Sequence, residues 1–248
     1  MRVAALYDIH GNLPALETVL EDLREAEIDL VVVGGDVLPG PMPRECLTRL
    51  LNLTLPVEFI RGNGESEVLA LMAGAAIDAV PEAFREIMRW TTQQLHPEDE
   101  AVLAGWPLTH RIEIDGVGEV LFCHATPRND TDIFTRRTPE DRLAPLFEAP
   151  GAPLVVCGHT HMQFDRMIGD VRVVNAGSVG MPFGEPGAYW LALGPDVQLR
   201  HTPYDLETAA GRIRATTYPQ AHDFAEKNVL HPPSENVMLD ALSRGELK

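Results

Sequence analysis

The sequence predicts a mixed α/β domain in which β-sheets pack together and helices cover the outside. Three observations carry this. Short, continuous apolar runs alternate with amphipathic stretches through the first third of the chain. From about Leu108 the hydrophobic period changes to two. Asp-Gly and Gly-Asp pairs (Asp115-Gly116, Gly169-Asp170) then separate successive short runs, as hairpin turns do.

Val3 to Tyr7 is the first run, and its unbroken apolar character predicts a strand buried on both faces. After Asp8-Ile9-His10-Gly11-Asn12, Pro14 can open a helix at its first turn. Leu13, Leu16, Val19, Leu20 and Leu23 recur at helical spacing up to about Ala26, with charged residues between them. Leu30–Val33 is a second buried strand, closed by Gly34-Gly35-Asp36. A Pro/Gly-rich loop and a short helix with Leu47, Leu50 and Leu51 follow. Val57–Ile60 is a third strand, closed by Arg61-Gly62-Asn63-Gly64-Glu65. The β-α-β-α-β order predicts a mostly parallel sheet with covered faces. Residues 66–104 read as a helical insertion punctuated by Pro81, Pro97 and Gly105. Strands are then expected at Thr109–Ile114, Gly118–Cys123, Leu154–Cys157, Phe164–Ile168, Val171–Val174, Tyr189–Leu193 and Val197–His201. A helix at about 205–215 and a polar helical tail to 248 close what reads as one domain over residues 1–248.

Five apolar runs end in the same kind of chemistry. Asp8 and His10 follow the first, Asp36 the second and Asn63 the third. His124 follows Val120–Cys123, and His159 and His161 follow Leu154–Cys157. In open α/β sheets, ligand sites lie beyond the carboxyl ends of the strands, so these groups are expected to converge. Mixed imidazole, carboxylate and amide donors suit Mn, Fe, Zn, Co or Ni. Seven groups exceed the needs of one ion and suit two, bridged by a carboxylate at roughly 3.5–4 Å. Singly, each has a structural alternative: Asp8 a helix cap, Asp36 a turn, Asn63 a left-handed turn position.

Composition narrows the function. A net charge of -17 argues against long nucleic acids and anionic membranes, whose binding needs basic surface. No apolar run approaches the roughly 20 residues of a membrane span. The three cysteines, Cys46, Cys123 and Cys157, form no disulfide framework and read as buried thiols. With no recognisable secretory signal near Met1, the expected location is the cytoplasm.

Asp8-Ile9-His10, Gly35-Asp36, Gly62-Asn63, His124 and Gly158-His159-Thr160-His161 resemble, in this order, the motifs of the calcineurin-like metallophosphoesterase superfamily. The strings from Asp8 to Leu16 and from Asn175 to Gly180 resemble its small stand-alone bacterial and archaeal branch. The resemblance implies a four-layer αββα sandwich of two mixed sheets flanked by helices. It also implies a dinuclear centre of two divalent transition-metal ions, Mn foremost, with Fe, Zn, Ni or Co as alternatives. One ion would take Asp8, His10, Asp36 and His161, and the other Asp36, Asn63, His124 and His159. Asp36, Asn63 and His124 are then the catalytic candidates, and a hydroxide shared by the ions is the implied nucleophile.

One departure matters. Many members of that family place histidine after the Gly-Asn pair, where this chain has Gly64. Losing general-acid help costs of the order of 10²–10⁴ in rate on poor leaving groups. That predicts phosphodiesters, or activated esters, ahead of alkyl monoesters. It also leaves open a non-catalytic, metal-stabilised binding module on the same fold. Asn12, Asn63 and Arg128 are the substrate-binding candidates. Asn12 has helix capping as its alternative, and Arg128 an ion pair with Asp130 or Asp132. Glu65 is expected to cap the helix after it, and Arg61 to tie down the loop around Asn63. The expected partner is a small phosphoester; self-association is left open.

Overall fold

The computed structural model describes residues 1–76 and 82–245. Pro81, expected as punctuation, lies outside the described residues. Two five-stranded mixed sheets form the centre. The first is ordered β10-β9-β1-β2-β3 and contains β1 (Val3–Leu6), β2 (Leu30–Val33), β3 (Val57–Phe59), β9 (Ala188–Leu193) and β10 (Val197–Thr202). The second is ordered β4-β5-β6-β8-β7 and contains β4 (Thr109–Ile114), β5 (Gly118–Cys123), β6 (Leu154–Cys157), β7 (Phe164–Ile168) and β8 (Val171–Asn175).

Alternation along the strands explains the layering. Val3, Ala5 and Tyr7 point into an inter-sheet core with Val32, Phe122, Leu154, Val156 and Leu191. Ala4 and Leu6 point the other way, into a core under α1 (Leu13–Glu25) and α2 (Pro43–Leu51). On the second sheet Val155 and Cys157 turn outward, against Leu143 and Phe147 of α6 (Glu140–Glu148). Helix, sheet, sheet, helix is therefore the order of layers, and both faces of each central strand are buried. That is why β1, β2 and β6 read as unbroken apolar runs.

β1, β2 and β3 run parallel, as do β5, β6 and β8, so their carboxyl ends gather along one side of the sandwich. The insertion consists of α3 (Asn63–Met72), α4 (Glu82–Gln94) and α5 (Pro97–Ala104). The C-terminal part holds α7 (Leu206–Arg214), α8 (Ala221–Phe224), a π-helical stretch (Ala225–Leu230) and α9 (Glu235–Leu242). A core of Met42, Ile87, Ala210, Ile213, Tyr218 and Phe224 ties α7, α8 and the π-helical stretch to α4 and to the start of α2. Helix α6 was not predicted, and Pro145 sits inside it. The cysteines are free and buried. No helix among the described residues is long and apolar enough to cross a membrane.

Candidate metal centre

The five strand ends meet. Asp8, His10 and His161 form one buried group, and Asp36, His124 and His159 a second; within each, the potential donor atoms lie within 4.8 Å of one another. Asp36 stands between the groups. Its Oδ2 is 3.7 Å from His10 Nε2, and its Oδ1 is 3.5 Å from His124 Nε2. Asn63, the first residue of α3, brings its Oδ1 to 3.1 Å from His124 Nε2. All seven predicted ligand candidates thus converge.

Backbone conformation explains how adjacent residues can share one point. Asp8, His10, Asp36, His159 and His161 all adopt positive φ, between 46° and 64°. Residues other than glycine rarely do so, Asn, Asp and His being the commonest exceptions, and such strain concentrates at functional sites. Cross-links between loops hold the conformation. His10 N–H donates to Asp36 O, Gly11 N–H to Val37 O, and Met42 N–H to Gly11 O. Gly40 packs so tightly on His10 that a Cβ there would overlap its carbonyl oxygen.

The imidazoles are oriented from behind. Nδ1 of His10 lies 3.3 Å from Pro39 O, that of His124 2.9 Å from Gly34 O, and that of His161 2.8 Å from Met181 O. A carbonyl only accepts, so each Nδ1 carries the proton and each Nε2 faces the centre. Asp8 Oδ2 accepts the His159 backbone N–H at 2.8 Å. Its Oδ1 is buried without a hydrogen-bond partner among the described residues, 3.4 Å from His161 Nε2 and 3.9 Å from those of His10 and His124. An orphaned buried carboxylate oxygen ringed by imidazole nitrogens is what a divalent cation would satisfy. The donor set fits the implied metals.

Electrostatics agree with a cation-seeking site. Burial opposes the charge on Asp36, but His124 and His10 hold it well below the usual carboxylate range. Burial likewise disfavours charge on His124, yet Asp36 and Asp8 push it up to about 10. Burial, reinforced by the neighbouring His124, lowers His159 to about 4.

Glu65 does more than its expected capping. It is fully buried, and its carboxylate accepts three backbone N–H groups: Gly62 at the helix start, and Asp36 and Leu38 across the loop. Burial and the nearby Asp36 raise it to about 7, against the pull of those three donors. The helix begins at Asn63, not near Ser66, so Glu65 lies in its first turn. At Gly64 a Cβ would overlap the Leu38 carbonyl oxygen, and the Gly64 N–H donates to Asp36 Oδ1 at 2.7 Å. The space a side chain would need is filled by the Pro/Gly-rich loop.

Two other expectations need correction. Asn12 is fully buried: its Oδ1 caps α1 by accepting from Ala15 N–H, and its Nδ2 donates to Gly180 O. Both ends of the amide are used in packing, so it presents nothing to a substrate. Arg61 holds its segment through the backbone, whose N–H donates to Pro107 O, and not through the buried Nε of its side chain, which has no partner among the described residues. Arg128 forms a two-pronged pair with Asp132 through Nε at 3.0 Å and Nη2 at 2.7 Å. Asp130 accepts from Ser66 instead.

Sequence reasoning assigned no role to the segment after β8. Asn175 Nδ2 donates to Gly158 O and Thr160 Oγ1, bracing the loop that carries His159 and His161. Ser178 Oγ donates to Asp8 O, and Phe183 stacks on His161 with ring centroids 5.2 Å apart. The only sequence signal for the first two was the Asn-Ala-Gly-Ser string.

A family model described as the calcineurin-like phosphoesterase superfamily domain matches residues 1–193. An uncharacterised protein of Methanocaldococcus jannaschii is 26% identical over 238 residues, covering 88% of this chain and 94% of its own. Phosphodiesterase YfcE of Escherichia coli is 28% identical over 200 residues, 76% of this chain and 85% of its own. Among solved structures, a metallophosphoesterase from Sphaerobacter thermophilus superposes with a TM-score of 0.73 at 26% identity, covering 92% of this chain and 99% of that one. A hypothetical protein from Pyrococcus horikoshii shares the fold with a TM-score of 0.75 at 22% identity, covering 94% and 99%.

Proposed function

Because this chain belongs to the calcineurin-like phosphoesterase superfamily, we propose that it is a metal-dependent hydrolase of small phosphoesters, with diesters favoured over monoesters. The observation that carries the reading is the buried, unpartnered Oδ1 of Asp8 among three imidazole Nε2 atoms, beside an Asp36 that turns one oxygen to each donor group. Asp8, His10, Asp36 and His161 would hold one ion, and Asp36, Asn63, His124 and His159 the other. Two divalent ions, Mn foremost, would supply an activated water and positive charge for the phosphoryl oxygens.

The protein's own part is positioning. The Pro39, Gly34 and Met181 carbonyls fix the tautomers of His10, His124 and His161, so the rings need no reorganisation when an ion binds. Asn63 adds an oxygen without adding negative charge, which leaves the centre more positive toward a phosphoryl group. At Gly64 no side chain can protonate a leaving group, and that supports diesters and activated esters over alkyl monoesters. The likeness to a protein named a phosphodiesterase supports the same preference. Arg128 keeps Nη1 beyond its pair with Asp132, and we assign that donor to a phosphate oxygen. The reading takes residues 1–248 as one domain, and the buried free thiols fit a reducing cytoplasm.

The test is turnover of bis-p-nitrophenyl phosphate and p-nitrophenyl phosphate by Mn²⁺-loaded protein, with a chelator control and measured metal content. Faster, chelator-sensitive diester cleavage is expected. Asp36→Asn and His124→Ala should each remove nearly all of it while the protein stays folded. Two bound ions with no turnover of either ester would favour the non-catalytic binding module instead.

A further inference from the structure

Beside the metal centre the surface opens into a cleft of about 490 Å³, within the range of small-ligand sites at roughly 300–1,000 Å³. One part of its wall is His10 itself, and another is Phe183, whose ring stacks on His161. Both ring walls therefore belong to, or lean on, the group formed by Asp8, His10 and His161. The remaining walls come from elsewhere in the chain: Phe84 from α4, Tyr218 from the segment before α8, and Phe224 from α8. Tyr218, Phe224 and the other lining residues up to Met238 lie beyond the stretch matched by the family model, so one part of this face is built outside the matched core while His10, Phe84 and Phe183 belong to it.

The lining is chemically one-sided. Aromatic rings and aliphatic side chains dominate it, and Tyr218 and Phe224 meet edge to face with centroids 6.0 Å apart. Its lysine, Lys227, is already paired with Asp223 at 2.7 Å within the same cleft. Lys227 and Asp223 offset one another's charge, so the pair adds no net positive charge to draw a second phosphate. Lys227 also sits on the π-helical stretch, a backbone form frequent at functional sites.

We propose that this cleft receives an apolar, ring-bearing substituent of the phosphoester while its phosphate is held at the adjoining centre. The inference rests on the phosphoesterase reading of that centre and goes beyond it by naming the substrate class. It also agrees with Gly64: a ring-bearing alcohol of low pKa leaves without a general acid.

The test compares phenylphosphonate with methylphosphonate by titration calorimetry on Mn²⁺-loaded protein, a binding readout independent of turnover. The two share an anion and differ by the ring. Burying the ring should tighten binding by roughly tenfold over methylphosphonate. Phe84 is 55% exposed, so Phe84→Ala tests the wall without threatening the fold, and Phe224→Leu tests the part contributed by α8. In each the ring's advantage should shrink to about threefold or less. Equal binding of the two probes to the wild-type protein overturns the proposal and leaves the metal-centre reading standing. A wild-type advantage untouched by either variant overturns it too. Chelator-insensitive binding, or none, overturns both the centre reading and the inference built on it.

Discussion

Nε2 of His10 and Nε2 of His161 face each other at 3.2 Å, while the Nδ1 of each ring is turned to a backbone carbonyl. With both Nδ1 atoms protonated, two neutral rings would aim lone pairs at one another. A proton or a cation has to lie between them. Without metal, His161 has the stronger hold on that proton: burial disfavours its charge, but Asp8 and the Met181 carbonyl outweigh that and raise it, whereas burial lowers His10.

Metal binding should therefore release protons. Against burial, the neighbouring carboxylates push His124 up to about 10 and raise His161, so an ion competes with protons for both rings. The sign follows: acid favours the proton, alkali the metal. Apparent Mn²⁺ affinity should rise between about pH 6 and 8, by up to roughly tenfold per unit for each proton released. Calorimetry in buffers of different ionisation enthalpy counts those protons. A pH-independent affinity would sink the tautomer argument.

Replacing Gly64 with histidine should not create a monoesterase. The Leu38 carbonyl already occupies the space of a Cβ, and the Gly64 N–H orients Asp36 Oδ1. Gly64→Ala should cost about 1–3 kcal/mol by overpacking, and Gly64→His at least as much. Both should weaken metal binding as the Asp36 loop is pushed aside. Urea unfolding and p-nitrophenyl phosphate turnover check this. A Gly64→His variant of wild-type stability with raised monoesterase activity would show that the loop yields.

Glu65→Ala should lose metal although Glu65 meets the ligand residue Asp36 only at its backbone N–H. Three buried N–H groups, of Asp36, Leu38 and Gly62, would lose their acceptor together. At about 1–3 kcal/mol for each buried group left unpaired, the loss is of the order of 3 kcal/mol or more. Thermal unfolding with and without Mn²⁺ separates the two effects. Unchanged metal affinity in a folded Glu65→Ala protein would remove Glu65 from the positioning of Asp36.

These residues also mark how far the sequence can be read. β1, β2 and β6 were legible because burial on both faces leaves an unbroken apolar run, and the ligand candidates because each directly follows such a run. Glu65 was read only as a cap, since nothing local shows that Asp36 and Leu38 lie across from it. Helix α6 was hidden by Pro145, which ordinarily marks a break. The cleft was illegible for a different reason. Phe84 and Phe224 are 140 positions apart, and both line one cleft only because the chain folds α4 and α8 around it, which no periodicity encodes.

The positive φ angles give a prediction opposite in sign to the usual rule. In ordinary helix or strand positions glycine is less stable than alanine by roughly 0.5–1 kcal/mol. His161 stands at φ 58° and His159 at φ 64°, where an L side chain clashes with its own backbone and glycine does not. In the metal-free protein both His161→Gly and His161→Ala lose the same ring contacts, including the stack with Phe183 and the bond to Met181 O. Their difference isolates the backbone. His161→Gly should exceed His161→Ala by about 1 kcal/mol, net of glycine's greater unfolded-state entropy. Urea unfolding in the presence of a chelator measures it. A glycine variant no more stable than the alanine one would mean that the loop relaxes out of the left-handed conformation when no metal is bound.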